Sequence, residues 1–266
     1  MPTAFSILPE RFADGRHEAI LAGLGRCGYG VSRQVGLPRG WRDVLVTWTR
    51  HRGWKERHCA AFEAAGGRVI VCEEAYIREI RGARYFALAL GDHGGAGRWP
   101  DGGAERWCSF GIDLAPWRTT GAHIVVREQR GIGSTPMASP PLWHDAATRR
   151  LRQLTAREIR LRAHPRSRLY PARAGRQPSL ARMLSNCHAF ATWASADAVA
   201  ALIAGVPVFF NASHWICAGA ATRGLSGIES PALPDRLPAL ERLAWAQWSL
   251  AELASGAPFA RLLAMD

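Results

Sequence analysis

The chain has 266 residues, of which 48% are hydrophobic and 21% are charged, and its formal net charge is +12. This size and composition exclude a disordered chain and a small disulfide-stapled domain, and no apolar run is long enough to span a membrane. The six cysteines lack CxxC spacing, so we expect no zinc site and no disulfide framework. The first residues lack a basic leader followed by an apolar core, so we expect a cytoplasmic protein. The positive surplus favours a polyanionic partner, the alternative being a solvated basic surface.

The first part of the chain alternates between strand and helix patterns. The glycine-rich segment 23–40 follows no strong strand, so it predicts a loop or a capping segment rather than a dinucleotide fingerprint. Strands are predicted at 43–48, 68–72 and 85–90, with a helix at 55–65. This alternation predicts a parallel sheet.

A second alternating series follows. Strands are predicted at 122–128, 159–163, 187–193 and 206–210. Helices are predicted at 146–156 and 198–204, and Gly205 ends the second of them. A helix is predicted over 237–253, broken and restarted where Ser249 and Glu252 have capping-box spacing. The fold class predicted is α/β, with two Rossmann-like halves facing a cleft.

A charged, glycine-rich turn, REQRGIGS, follows the strand at 122–128. Its candidate ligand-binding residues are Arg127, Gln129, Arg130, Gly131, Gly133 and Ser134. Guanidinium groups form bidentate hydrogen bonds to phosphate oxygens, and glycine lets the backbone approach a ligand closely. The turn therefore predicts a diphosphate site, the alternative being a surface loop with incidental arginines.

Two further candidates follow neighbouring strands. His164 precedes Pro165 and is therefore held out of helical geometry, either as a ligand contact or as part of a capped strand end. Ser195 stands at a helix N-cap position with Asp197 in the first turn. The exposed N–H groups at such a helix start favour an anion, the alternative being a plain cap.

Candidates for proton transfer lie in the first half. Asp92 and His93 follow a strand among glycines, where either could act as a general base; the alternative is an ordinary Asp/Gly turn. His51 is a weaker candidate base, and Arg50 and Arg52 beside it resemble acceptor or phosphate contacts. No DxD-type carboxylate pair is present, so we expect no metal site.

The order of these motifs resembles that of GT-B glycosyltransferases over residues 120–255. ALIAGVPVFF after Ser195, a His-Pro pair after a strand, the REQRGIGS turn and the final helix occur in the expected order. The whole chain also resembles small glycosyltransferases encoded by bacteriophages, through WAQWS (245–249) and QRGIGS (129–134). The resemblance implies a compact GT-B fold with an acceptor-side half at 1–118, a donor-binding half at 119–236 and a C-terminal segment, 237–266, packing back across both.

The resemblance also implies an activity. A sugar would move from a nucleotide-sugar co-substrate, with UDP expected as the nucleotide and no other cofactor, to an acceptor hydroxyl. The donor would contact the REQRGIGS turn, His164 and Ser195. Related enzymes carry a ribose-binding Glu on the following helix where this chain has Ala, so Asp197 would substitute for it. Arginines and a helix dipole would neutralise the leaving group without a divalent metal.

The acceptor implied by the phage resemblance is a 5-hydroxymethylpyrimidine in DNA, which would explain the positive charge. Arg50, His51 and Arg52 are the residues expected to contact it. Two alternatives stay open: a polysaccharide or glycolipid acceptor, and a non-catalytic nucleic-acid-binding protein with the same fold.

Overall fold

The structure is a computed structural model that describes residues 1–9, 14–50, 53–134 and 137–265, with only the backbone of Arg173 described. The chain divides into two compact units. Unit 1 comprises Met1–Phe110, Gly133–Thr135 and Glu241–Asp266, and unit 2 comprises Gly111–Ile132 and Pro136–Leu240. The domain limits at 118 and 236 stay a prediction.

Helices and strands alternate along the first part of unit 1. They are β1 (Thr3–Ser6), α1 (Arg16–Arg26), β2 (Gly30–Ser32), β3 (Val44–Thr47), α2 (Trp54–Ala64), β4 (Arg68–Ile80), β5 (Ala83–Leu90) and α3 (Glu105–Phe110). The later elements are β6 (His123–Arg127), α4 (Trp143–Leu154), β7 (Glu158–Arg162), α5 (Pro171–Arg176), α6 (Leu180–Leu184), β8 (Cys187–Thr192), α7 (Asp197–Ile203), β9 (Val208–Phe210), β10 (Thr222–Arg223), α8 (Leu237–Ala244), β11 (Gln247–Ser249), α9 (Leu250–Ser255) and α10 (Ala257–Leu263).

The sheet of unit 1 has the strand order β11-β5-β4-β3-β1-β2. Strands β1 to β4 pair in parallel, whereas β5 and β11 are antiparallel. The prediction of β5 as a parallel strand was wrong, because β4 continues to Ile80 and the left-handed residues Arg81 and Gly82 reverse the chain. The parallel strand β3 is buried along its whole length, as expected for a strand covered on both faces.

The glycine-rich segment near the N-terminus is only partly the loop that its sequence predicts. Helix α1 runs to Arg26 and β2 follows at Gly30. Gly23 lies within α1, where a Cβ would be 2.0 Å from the Leu253 carbonyl oxygen. Only glycine therefore allows α1 to approach α9 this closely. Packing therefore explains a glycine that composition alone assigns to a loop.

The predicted C-terminal helix is also interrupted. A strand, β11, separates α8 from α9 and pairs with β5 in antiparallel orientation. The predicted capping box is confirmed at the start of α9: the Ser249 hydroxyl accepts the Glu252 N–H, and the Glu252 carboxylate accepts the Ser249 N–H.

Unit 2 contains a sheet with the order β10-β9-β8-β6-β7, and all its pairings are parallel. Its predicted strands and helices are confirmed to within about three residues at each end. Gly205 ends α7 with a φ of +73°, and a Cβ there would lie 2.0 Å from the Pro116 carbonyl oxygen. Ile124, Leu151 and Phe209 belong to the core beneath the helices.

Among the described residues, no helix is both long enough and apolar enough to cross a membrane. Within the same residues, no group of three or more His, Cys, Asp or Glu side chains is placed to hold a metal ion.

Candidate functional site

In the sheet of unit 2, the direction in which the chain adds strands reverses between the neighbouring strands β6 and β8. From β6 the chain crosses to β7 on one side, and from β8 it crosses to β9 on the other. The carboxyl ends of β6 and β8 therefore flank a topological switch point, where open α/β sheets leave room for a ligand. Arg127 ends β6 and Thr192 ends β8, so the segments predicted to bind a donor follow these two strands.

Arg127 is buried, and its charge is already paired. Its Nε donates to Asp197 Oδ2 at 2.6 Å, and its Nη1 donates to the carbonyls of Glu128 and Arg162. Arg162 donates to the same carboxylate oxygen at 3.2 Å. Burial lowers the pKa of Arg127, and the Asp197 charge opposes that shift. The structure thus places Arg127 and Asp197, both predicted donor contacts, in an ion pair that joins β6, β7 and α7.

Gln129 and Ser195 order the loop after β8. Gln129 Oε1 accepts hydrogen bonds from Thr192 Oγ1 at 3.0 Å and the Ala194 N–H at 2.6 Å. The Ser195 Oγ accepts the Asp197 N–H at 3.2 Å, although α7 begins one residue later than a Ser195 N-cap requires. The Asp197 carboxylate in the first turn offsets the positive helix end, so this terminus is a weak site for another anion.

Glu128 holds the His-Pro segment against the end of β6. It is buried; Oε2 accepts the His164 N–H at 2.8 Å, and Oε1 accepts the Ser167 hydroxyl at 2.7 Å. Sequence reasoning missed Glu128, because one acid in a basic turn has no distinctive spacing. Its contacts orient residues 164–168 beside the switch point.

Three exposed arginines gather beside this segment: Arg130, Arg166 and Arg168, here called the guanidinium cluster. Burial, followed by the nearby charges of Arg166 and Arg168, lowers the pKa of Arg130. In the described part of the chain, none of the three side chains has a hydrogen bond or ion pair. Like charges held together without a carboxylate favour binding of an anion. The sequence analysis did not identify Arg166 and Arg168 as site residues. Their alternate spacing in HPRSR, after the strand at 159–163, was the signal that could have indicated them.

His164 is half-buried next to this cluster. Burial, and then the charges of Arg127 and Arg130, lower its pKa from 6.5 to about 4. The ring is therefore neutral at pH 7. Its Nδ1 accepts the Arg166 N–H at 3.0 Å, so the proton lies on Nε2, which is a hydrogen-bond donor.

An anion at the guanidinium cluster should raise the pKa of His164, because its negative charge offsets the arginines that disfavour the imidazolium. By linkage, protonation of His164 should contribute increasingly to phosphate binding as the pH falls towards 4. An NMR titration of the His164 ring with and without inorganic phosphate measures this, and His164→Gln assigns the resonance. An unchanged pKa at saturating phosphate would contradict an anion site here.

In the free protein the same depressed pKa means that folding stability from His164 is lost as the pH falls below about 6.5, since the unfolded ring takes up the proton first.

The glycines of the REQRGIGS turn shape its backbone. Gly131 has a φ of +66°, and its N–H donates to Ser139 Oγ at 3.1 Å. Gly133 also has a positive φ. Ser134 belongs to unit 1, where its hydroxyl donates to Asp92 Oδ2. Ser134, a predicted donor contact, is thus hydrogen-bonded to Asp92, a candidate general base.

Asp92 and His93 lie in a hydrogen-bonded cluster of unit 1. Asp92 Oδ1 accepts the His93 N–H at 2.9 Å, and the His93 Nδ1 lies 3.6 Å from Glu73 Oε2. Glu73 Oε1 also accepts the Tyr76 hydroxyl at 3.1 Å and the Gly94 N–H at 3.2 Å. The His93 Nε2 is buried without a hydrogen-bond partner among the described residues. The cluster presents a carboxylate and an imidazole, and either group can act as a general base.

The position of this cluster depends on a chain reversal. Because β5 is antiparallel, its end lies beside Ile70, near the start of β4. The following loop folds back and brings His93 to Glu73, two residues beyond the last β4 residue paired with β3. Glu73 and Tyr76 were missed because the predicted strand stopped at Cys72.

The predicted acceptor contacts are only partly described. Arg50 donates to Glu56 at 2.8 Å, to both Glu63 oxygens at 2.8 and 2.9 Å, and to the Gly91 carbonyl at 2.6 Å. Burial alone would lower the pKa of Arg50, but its hydrogen bonds to the carboxylates of Glu63 and Glu56 raise it. Arg50 therefore ties α2 to the start of the Asp92 loop. His51 and Arg52 lie outside the described residues.

A cavity of about 1080 Å³ lies beside β7 in unit 2. Its lining includes Arg152, Arg160, Tyr170 and Arg182, and it contains none of the predicted site residues. We place the candidate site at the carboxyl edge of the sheet instead, because the unpaired guanidinium groups gather there.

Two solved structures are similar to the chain over nearly its whole length. "Thermosulfurimonas dismutans KpsC, beta Kdo 2,7 transferase" has a TM-score of 0.59 at 16% identity, covering 98% of this chain and 99% of that one. "Thermosulfurimonas dismutans KpsC, beta Kdo 2,4 transferase" has a TM-score of 0.57 at 11% identity, covering 96% and 98%. No protein-family model and no curated protein matches the sequence. The chain therefore shares its fold with structures named as sugar transferases, and the predicted α/β class with Rossmann-like halves is confirmed.

Proposed function

We propose that this protein is a nucleotide-sugar-dependent glycosyltransferase whose donor phosphate binds the guanidinium cluster. The observation that carries the proposal is the convergence of Arg130, Arg166 and Arg168 beside a neutral His164, without an acidic partner among the described residues. A phosphate would accept hydrogen bonds from the guanidinium groups and from His164 Nε2. These positive charges would also stabilise the negative charge that develops on the leaving phosphate.

The proposed reaction is a displacement at the anomeric carbon of the donor sugar. The acceptor oxygen forms a bond to that carbon, and the bond from the carbon to the phosphate oxygen breaks. The electron pair leaves with the nucleotide phosphate, and the acceptor proton passes to Asp92 or His93. Since arginines can offset the charge of the leaving group, we propose that no divalent ion takes part.

Two acceptors compete within this proposal. The net charge of +12 supports DNA carrying 5-hydroxymethylpyrimidine, because a basic surface binds phosphates without reading sequence. The fold shared with two Kdo transferases supports a saccharide or glycolipid acceptor, and a sugar acid as the transferred group. Labelled-sugar transfer to hydroxymethylated duplexes, unmodified duplexes and a panel of glycans separates these acceptors. Nucleotide-sugar hydrolysis without any acceptor would exclude the non-catalytic alternative.

The donor site is tested by removing one guanidinium group at a time. Arg130→Ala and Arg166→Ala should each weaken nucleotide binding by roughly 1.5–3 kcal/mol, the contribution of one hydrogen bond to a charged group. Isothermal titration calorimetry in EDTA, with nucleoside monophosphates and diphosphates of uridine and cytidine, measures this loss. The same titration shows which nucleotide the protein prefers and whether binding needs a divalent ion.

Arg160→Ala provides the matched control. Arg160 is an exposed arginine of the same unit, on β7, where it donates to Glu158 at 2.6 Å. Its removal changes the net charge equally but should leave nucleotide affinity unchanged. Equal losses in Arg130→Ala and Arg160→Ala would show general charge attraction and would refute the assigned site.

A further inference from the structure

Exposed apolar side chains are concentrated in one stretch of unit 1. Of the ten large apolar side chains exposed within the described residues, five lie between positions 31 and 54. They are Val31, Val35 (58% exposed), Leu37 (56%), Trp41 (66%) and Trp54 (54%). Single exposed apolar residues are ordinary, whereas a dense group of them marks a surface that contacts something apolar.

Two of the segments that carry these residues cover the same apolar core. Residues 33–43 connect β2 to β3, and a Cβ on Gly36 would lie 3.0 Å from the Phe5 ring. The ring of Phe5 meets that of Phe62, on α2, edge to face at 5.7 Å. A Cβ on Gly67 would lie within 2.9 Å of both Phe62 and Pro38 of the connecting segment. The connection therefore packs beside Phe62 of α2 over this cluster. We call the exposed Val35, Leu37 and Trp41 of the connection, together with Trp54 of α2, the apolar band.

The charges around the apolar band are positive. Arg39, Arg42, Lys55 and Arg57 belong to these segments. The Arg42 guanidinium carbon lies 4.9 Å from the Trp41 ring centroid, and Lys55 Nζ lies 5.9 Å from that of Trp54. The two acids of residues 31–57 do not offset these cations. Asp43 is buried and accepts the backbone N–H groups of Thr3 and Arg39, and Glu56 is paired with Arg50.

We propose that the apolar band docks unit 1 onto an anionic lipid membrane. Val35 and Leu37 would enter the boundary of the acyl chains, the tryptophans would lie at the level of the headgroups, and the basic side chains would face anionic lipid. Aliphatic side chains favour lipid over nucleic acid, because single-stranded bases bind by stacking on aromatic rings. Docking requires neither donor nor acceptor, so it stands or fails separately from the proposed transferase activity.

Sedimentation with lipid vesicles tests this proposal. The full chain should bind vesicles of mixed phosphatidylglycerol and phosphatidylcholine, bind pure phosphatidylcholine more weakly, and dissociate as salt is raised. Leu37→Ser/Trp41→Ser should lower the partition coefficient at least about tenfold. Arg39→Gln/Arg42→Gln should lower it for the anionic vesicles only, and this second variant keeps the apolar core contacts intact.

The control is Leu142→Ser/Leu233→Ser, which removes two exposed leucines from unit 2. It should bind vesicles as the unaltered protein does, and circular dichroism melting confirms that each variant is folded. Absence of binding to anionic vesicles, or equal binding by the band and control variants, would overturn the proposal. So would loss of oligonucleotide binding in Leu37→Ser/Trp41→Ser with vesicle binding unchanged, because the band would then be a nucleic-acid surface.

Discussion

Asp92→Asn should lower the turnover number for sugar transfer by roughly 10²- to 10⁴-fold, the contribution typical of one general base. The substitution keeps the size and shape of the side chain but removes its ability to accept a proton. The amide oxygen can still accept the His93 N–H, now 2.9 Å from Asp92 Oδ1. Nucleotide affinity and thermal unfolding should therefore stay close to those of the unaltered protein.

Asp101→Asn is the control for this prediction. Asp101 belongs to the same unit and, like Asp92, accepts the N–H of the next residue, at 2.8 Å, but it is exposed. Its replacement should leave transfer unchanged. The assay measures labelled sugar on the acceptor that the panel identifies. Full activity of Asp92→Asn would remove Asp92 as the base, and His93→Gln would then test its neighbour.

Asp197→Asn should destabilise unit 2 by roughly 3–5 kcal/mol, because it leaves the buried charge of Arg127 without its carboxylate. The Arg127 side chain is only 5% exposed, so water cannot replace the lost partner. The effect should be measurable as a lower midpoint of urea-induced unfolding. Loss of this pair would also loosen the ends of β6 and α7, and nucleotide binding should weaken with it.

Two variants show whether burial causes this loss. Glu158→Gln breaks an arginine pair on the surface of β7 and should change the unfolding midpoint little, because water solvates Arg160. Arg127→Met/Asp197→Asn removes the stranded charge and should recover part of the stability lost in the single variant. A single variant as stable as the unaltered protein would contradict a structural role for the pair.

The Arg127–Asp197 pair also shows which feature of the site the sequence did not predict. Arg127 was predicted to bind the donor because it stands at a strand end, and Asp197 because the resemblance implies an acid on this helix. The structure does bring the two residues together. Which arginine is neutralised, however, depends on side-chain reach across three elements. Arg127 meets a carboxylate, whereas Arg130, three residues later, meets two other arginines.

The unit 1 cluster illustrates the same limit. Asp92 and His93 were visible as polar residues after a strand, but Glu73 and Tyr76 were not connected to them. Their association depends on the reversal at Arg81–Gly82, which makes β4 and β5 antiparallel, and on the loop that folds back along β4.

The sequence by itself determined the α/β class, most strands and helices of unit 2, the end of α7 at Gly205 and the capping box at Ser249. These features depend on local periodicity, capping and turn chemistry, which neighbouring residues specify. Tertiary structure alone decided that β5 and β11 are antiparallel, that Gly23 allows two helices to pack closely, and which arginines have a carboxylate partner. Those outcomes depend on contacts between residues distant in the chain, because an approach of two helices or a buried ion pair leaves no spacing pattern in the sequence.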